Sequence, residues 1–453
     1  MTSMAAIVAP VAQRSIDECQ TPAMAWGVVA NGALMAADAV GDGVNENTPF
    51  RIASMTKSFT AAVVLGLRDD GVLSLDRPVA DYAPELANVT GPDDSAPITL
   101  RHLLSMSGGL ATDDPWADRH LDAAADFMNE VFVAGPHFAV RTGDAFEYSN
   151  LGFAMIGRVV RTVTGRRVRD HVDERLLGPL GMANTTWDEP VGSWARPHRV
   201  RDGVVVAEGF APLPDGEIAP MGGLWSTVSD LARWVCWLDE ANIGLDSLTG
   251  SLCTSSRREM QTMHTYVGQS ALDSVSAPSG YGFGLLVRDD QVLGHVAGHS
   301  GGLPGYGSNM RWAKGTGVGV IGLANVTYAP MSTFTHRALT ELHRAGLVST
   351  PTVEPSALLR QRAKALVALL SNWSDQAARE LFADNVESDE SFDRRADDAP
   401  RRTGGEPIVL LGVRAANRTT GTAMISVGTR TLAIEFSLSP ARALIQEYSW
   451  KEA

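Results

Sequence analysis

Apolar and polar positions change their period twice along the chain. After a helical N-terminal segment, residues 23–30 and 33–40 form two apolar runs joined by Asn31-Gly32, a pair suited to a two-residue turn, and predict a β-hairpin. Residues 50–67 read as a strand end that runs into a helix, with Ser54 where the helix begins and Lys57 one turn later. Residues 70–84 are loop-like. A short helix capped by Thr99 is predicted over 98–105, closed by Gly108-Gly109, and 113–119 reads as an exposed loop. Helical periodicity then covers 151–163, most of 168–187, and 231–238, the last with Thr227 or Ser229 as its cap. Strand-like runs return at 285–287, 291–296, 307–312 and 318–325, amid dense glycine. Early and late strands enclosing a helical middle predict an α+β fold: one antiparallel sheet built from both ends, with a helical subdomain inserted.

A change of texture at residues 348–355 predicts a linker, so the domains expected are 1–348 and 349–453. Residues 356–370 form an amphipathic helical pattern, and the acidic run 384–398 reads as loop or short helix. Four strand-like runs follow at 408–413, 422–427, 431–438 and 444–450. Leu432, Ile434, Phe436 and Leu438 alternate as a half-buried strand does, so the tail is expected to be a small α+β domain or β-barrel.

Composition narrows the function classes. The 453 residues are 44% hydrophobic and carry a formal charge of −14, which argues against nucleic acid or an anionic membrane surface as a partner. Cys19, Cys236 and Cys253 are odd in number and widely spaced, so reduced thiols are expected rather than a disulfide framework. The first residues show neither a basic leader nor a long apolar run, which leads to the expectation of a cytoplasmic protein.

The chemistry begins with Ser54-Met55-Thr56-Lys57. Residues three apart share a helix face, so the Lys57 amine can lie beside the Ser54 hydroxyl. A serine hydroxyl needs a neighbour to take its proton, and a lysine whose pKa is lowered by burial can do so. Trp116, Trp225 and Trp312 are candidates for an apolar acyl pocket, although core or rim packing accounts better for each. Asp230 reads as a helix-start acid. His102 and His264 have no Cys or Glu at ligand spacing, so neither a metal nor another cofactor is expected.

Two further motifs follow in order, Tyr148-Ser149-Asn150 and His299-Ser300-Gly301. With Ser54-x-x-Lys57, and with the surrounding stretches 50–61, 101–105, 146–152, 180–182 and 298–302, they resemble the serine penicillin-binding protein and class C β-lactamase-like hydrolases over about residues 23–325. The resemblance implies a β-lactamase/transpeptidase-like sheet flanked by helices, with the tail as a small β-rich, lipocalin-like domain. It implies Ser54 as the nucleophile that forms an acyl-enzyme, and Lys57 with Tyr148 as one coupled proton system. In that reading the Tyr148 phenolate is stabilised between Lys57 and another cation, Asn150 holds Lys57 and donates to the substrate, and His299 changes charge near neutral pH. The backbone N–H groups of Ser54 and Gly302 would form the oxyanion hole, and Trp116, Trp225, Ser300 and Gly301 would touch substrate.

The implied function is a serine acyl hydrolase of the esterase or amidase/D-peptidase type acting on a small ester, amide or peptidyl substrate. The alternative is a penicillin-binding-protein-type thioesterase that cyclises a nonribosomal peptide delivered on a carrier protein. A β-lactamase, a D,D-carboxypeptidase and a non-catalytic binding protein on the same scaffold rank lower.

Overall fold

The computed structural model describes residues 3–41, 43–92, 94–209, 213–244, 252–273, 275–349 and 353–452. The chain divides into two compact units, Met1–Thr350 and Pro351–Ala453. Among the described residues no helix is long and apolar enough to cross a membrane.

In the first unit, α1 (Met4–Cys19) precedes the hairpin β1 (Met24–Ala30) and β2 (Ala33–Val40), whose turn places Asn31 and Gly32 at φ 52° and 76°. Both are left-handed values, the geometry that Asn-Gly accommodates most easily. A helical middle follows, with α2 (Thr56–Asp69), the short α3 (Asp114–Ala117), α4 (Asn150–Thr164) and α5 (Val228–Ile243). Thr227 is the cap of α5, its hydroxyl accepting from Asp230 N–H at 3.1 Å. Asp230 does more than start that helix: its carboxylate accepts from Asn184 N–H and the Thr185 hydroxyl, each at 2.8 Å.

Strands then resume as β3 (Thr265–Leu272), β4 (Val275–Tyr281), β5 (Leu286–Asp290), β6 (Gly294–Leu303), β7 (Tyr306–Ala313) and β8 (Val318–Ala324), before α6 (Met331–Arg344). They join the hairpin in one antiparallel sheet, order β2-β1-β8-β7-β6-β5-β4-β3. The two-ended sheet expected from the hydrophobic pattern is therefore present. All seven residues of β1 are buried because both faces are covered. Met24, Trp26, Val28 and Ala30 enter a core with α1 and α6, whereas Ala25 and Val29 enter the larger core with α2 and α5.

Three local expectations change. Strand β6 does not end at Val296 but continues through the glycines to Leu303, paired throughout with β7. The short helix after Thr99 ends at Leu104, before the glycine pair. Strands β3 and β4 were not foreseen, because they lie at the sheet edge and are rich in Ser and Gly, with Pro278 among them.

The second unit is α+β. Helix α7 (Ala357–Ser371), capped by the Ser356 hydroxyl, and shorter helices lead to β9 (Ile408–Ala415), β10 (Thr420–Val427), β11 (Arg430–Leu438) and β12 (Ile445–Glu452). These strands form a meander in sequence order, an open four-stranded sheet rather than a closed lipocalin-like barrel. Ile434, Phe436 and Leu438 point into its core with Ile425 and Val427. The alternation is satisfied by helices covering one face, so the sheet has no need to close on itself.

Candidate active site

Ser54 lies in a single 3₁₀ turn, Ala53–Met55, that feeds directly into α2. Ala53 adopts φ 49°, a left-handed conformation uncommon for a residue with a Cβ, so the chain turns sharply just before the serine. The turn is held from two sides. Ile52 N–H donates to Leu224 O at 3.1 Å, and the Ser308 hydroxyl of β7 donates to Ile52 O at 2.8 Å. Arg51 adds hydrogen bonds to Gly223 O and Leu213 O.

Lys57 follows one turn on and is fully buried. Its Nζ lies 2.9 Å from Ser54 Oγ, 2.7 Å from Asn150 Oδ1 and 2.9 Å from Met221 O. Asn150 Oδ1 and Met221 O can only accept, whereas a serine hydroxyl can donate or accept. Two N–H bonds go to the fixed acceptors, and the third position of Nζ faces Ser54 Oγ, where the ammonium donates and the neutral amine presents its lone pair. Burial pushes Lys57 down to about 7, against the opposing pull of Asp114, Asp118 and Asp113.

Asn150 is the first residue of α4, and its orientation follows from chemistry. Its Nδ2 donates to Asp113 Oδ1 at 3.2 Å and Asp114 Oδ1 at 2.6 Å, so the oxygen of the amide must face Lys57. Asp113 also accepts from Asn150 N–H at 2.7 Å and Leu151 N–H at 2.8 Å, while Ser149 Oγ accepts from Gly152 N–H at 3.2 Å. Three of the unpaired donors at the start of α4 are thereby met. Segment 113–119 is consequently no exposed loop: it contains α3 and anchors Asn150. The expected donation from Asn150 to substrate is corrected too, because both hydrogens of its amide are engaged by the two aspartates. Asp113→Ala is expected to lower stability by about 2 kcal/mol in urea denaturation, and to weaken activity by releasing Asn150.

Tyr148 is half-buried, with its hydroxyl in hydrogen-bond contact with Ser54 and its ring centroid 4.9 Å from Lys57 Nζ. Burial, reinforced by the three aspartates, holds the phenol well above its ordinary pKa, so it rests protonated. Among the described residues no second cation acts on it from its other side. His299 is buried and uncharged: its Nδ1 lies 2.5 Å from Ser300 O, a carbonyl that can only accept, and its Nε2 lies 2.8 Å from the Tyr281 hydroxyl. Burial, then the charge of Lys57, push it down to about 3. The pH sensitivity near neutrality expected of His299 thus belongs to Lys57 instead.

The remaining candidates separate by position. A Cβ on Gly301 would lie 2.1 Å from Ile52 O, so that glycine backs the turn before Ser54 and has no room for substrate. Gly302 follows at the Tyr328 ring, whose hydroxyl donates to Asp118 Oδ2 at 2.8 Å. Ser300 accepts from Asn309 Nδ2 at 2.8 Å on the other face of the sheet. Trp225 is fully buried between Trp194 and Tyr306 and presents no surface to a ligand, which removes it from the substrate contacts. Trp312 is a core residue bonded to Gln261. Trp116 is half-buried on α3, stacked on His120 at 4.9 Å, two residues from Asp114 and Asp118. Asp113, Asp114, Met221 and Tyr281 escaped the sequence reading. Asp114-Pro115 is a helix-start signal that marks the first two, while Met221 and Tyr281 carry no comparable mark.

The profile of the β-lactamase family matches residues 7–345, three quarters of the chain. The chain belongs to the β-lactamase family. This is a family of serine hydrolases, and the fold agrees with it. Among relatives, Beta-lactamase-like protein 2 of Dictyostelium discoideum is 29% identical over 46% of this chain and 40% of its own length. Esterase EstB of Burkholderia gladioli is 27% identical over 64% of this chain and 80% of its own. Of several other curated relatives that it matches, the chain spans about half the length. The octameric penicillin-binding protein homologue from Pyrococcus abyssi superposes with a TM-score of 0.64 at 19% identity, over 98% of this chain and 89% of that one, a likeness of fold.

Proposed function

We propose that the protein is a serine acyl hydrolase that cleaves neutral esters through an acyl-enzyme on Ser54. The observation that carries this reading is the Lys57 amine, 2.9 Å from Ser54 Oγ, held by two fixed acceptors and shifted by burial to about 7. Lys57 takes the Ser54 proton as Oγ adds to the substrate carbonyl carbon. The N–H groups of Ser54 and Gly302 receive the developing oxyanion. Collapse of the adduct breaks the bond to the leaving alkoxide, which takes the phenol proton of Tyr148. The Lys57 ammonium returns its proton to the Tyr148 phenolate. Water then adds to the acyl carbon as the Lys57 amine takes its proton, and collapse breaks the Ser54 Oγ–acyl bond, with Oγ taking that proton back as the acid leaves.

Electrostatics favour a neutral ester over a carboxylate-bearing lactam or peptide end. His299 carries no charge where many relatives of this resemblance place a lysine, and Asp113, Asp114 and Asp118 lie close enough to influence Lys57. The likeness to EstB, an esterase by name, supports the same choice.

The test is intact mass after brief exposure to p-nitrophenyl acetate, a β-lactam, and a peptidyl thioester ending in a D-residue, with Ser54→Ala alongside. The ester is expected to label and turn over, with the adduct absent from the variant. Transfer of the thioester acyl group to an internal amine would favour the cyclase instead. A folded protein that takes no label from any donor would overturn the nucleophile.

A further inference from the structure

The central sheet carries a polar cluster on the face away from Ser54. Gly301 lies against Ile52 and Ala53, so His299, two residues earlier, and the register partners Met310 and Ser308 face the nucleophile. The alternate positions, Gly298 and Ser300 with their partners Arg311 and Asn309, face the opposite side, where α6 packs. Arg311 Nε donates there to Thr335 Oγ1 at 3.3 Å, and that hydroxyl donates to Asn309 Oδ1 at 2.5 Å. A cavity of about 200 Å³ opens beside them, polar at Arg311, Asn309, Ser300 and Ser332, and apolar towards Val267, Leu272 and Val296.

The charges around this cavity do not balance. Arg311 is only 8% exposed, and its two terminal nitrogens have no hydrogen-bond partner among the described residues. The acid whose field it feels, Asp290, is engaged elsewhere, by Arg288 Nε at 3.2 Å and by Val292 and Leu293 N–H at 3.0 and 3.1 Å. Arg288 is also satisfied, donating to Ser270 O and Val275 O at 2.7 Å each. His336, 4.0 Å from Asp290, is held below its ordinary pKa by burial and by Arg311, so it brings no charge at neutral pH. Among the described residues no carboxylate bonds to this buried guanidinium, which borders an open cavity, a costly arrangement unless something anionic completes it.

We propose that this cavity binds a small organic carboxylate, its carboxylate on the Arg311 guanidinium beside Ser300 and Ser332, and its apolar chain towards Val267, Leu272 and Val296. A planar guanidinium with two unengaged terminal nitrogens suits the two oxygens of a carboxylate. Binding here and acylation of Ser54 are compatible, because the sheet stands between them. They are also connected: Asn309 Nδ2, at the cavity, donates to His299 O at 3.1 Å and to Ser300 Oγ at 2.8 Å on the strand that flanks the nucleophile.

The experiment is calorimetric titration of the full-length protein with sodium butyrate, with sodium chloride and inorganic phosphate at matched ionic strength as the other arms. Saturable binding of butyrate, at least tenfold tighter than phosphate, is expected. Arg311→Met is expected to abolish it while melting no lower than the parent in the absence of butyrate, since an apolar chain replaces an unpartnered buried charge. Val267→Trp, which fills the apolar end, is expected to weaken butyrate at least tenfold with the acylation rate unchanged, and it serves where Arg311→Met fails to fold. No saturable butyrate binding, phosphate binding as tight as butyrate, or butyrate affinity unchanged in either folded variant would overturn the proposal.

Discussion

Lys57→Met is expected to slow acylation of Ser54 by about 10³–10⁴-fold, the range over which a general base acts when its proton acceptor is removed. The loss follows from the geometry: Nζ is the group placed to accept the Ser54 proton, and the Tyr148 phenol, raised well above its ordinary range, cannot take that role at neutral pH. Lys57→Arg should not rescue the rate, because a guanidinium stays protonated and has no lone pair to offer. The same assignment fixes the pH dependence. Because burial sets Lys57 at about 7, the active amine form is lost as pH falls, so kcat/KM should drop about tenfold per unit below that value and level off above it. Stability should move in the same direction. The folded-state pKa is depressed from the ordinary lysine value of 10.5, so between about 7 and that value the unfolded chain binds the extra proton, and stability rises with pH across this window. Stopped-flow acylation by p-nitrophenyl acetate from pH 5 to 9 reads the kinetic limb. A flat profile, or a Lys57→Arg variant within tenfold of the parent, would remove Lys57 from the role of base.

Gly301→Ala should combine a folding defect with a catalytic one. The added Cβ would meet Ile52 O at 2.1 Å, Ser308 Oγ at 2.3 Å and Ala53 Cβ at 3.0 Å. Backbone and a bonded hydroxyl cannot swing aside as the tip of a long side chain can, so either β6 or the turn before Ser54 must shift. Overpacking of this kind costs about 2–3 kcal/mol, and a displacement of the nucleophile near 1 Å reduces acylation roughly 100-fold. Gly302→Ala is the internal comparison, since its Cβ would meet the half-exposed Tyr328 ring at 2.7 Å, which has solvent to move into. Urea denaturation and acylation rates on the two variants separate these effects. Equal stability of the two would show that Gly301 is not held against the turn.

Local physics made much of the architecture legible. The Asn31-Gly32 hairpin followed from turn chemistry, and the apolar run 23–30 followed from a strand covered on both faces. Strands β3 and β4 were missed because an edge position places few demands on side chains, leaving Ser, Gly and Pro278 where a strand pattern would show apolar alternation. At the site, Ser54 and Lys57 could be paired from spacing alone, since three residues on a helix return to one face whatever surrounds them. Asp113 and Asp114 could not be joined to Asn150 in that way, because 36 or 37 residues of chain separate partners that meet only after folding.

By itself, then, the sequence determined the order of most elements apart from α3, β3 and β4, the pairing of Ser54 with Lys57, the succession of the three motifs, and the alternation of strands in the tail, all of which depend on short-range geometry. Only the tertiary structure decided the ionisation of the site: Lys57 brought down by burial, His299 kept neutral between Tyr281 and a backbone carbonyl, and Tyr148 left as a phenol. It also decided that Trp225 belongs to the core and that Arg311 borders a cavity behind the catalytic strand. Charge state and burial depend on how much water is excluded and on which distant groups are brought near, quantities that no local pattern encodes.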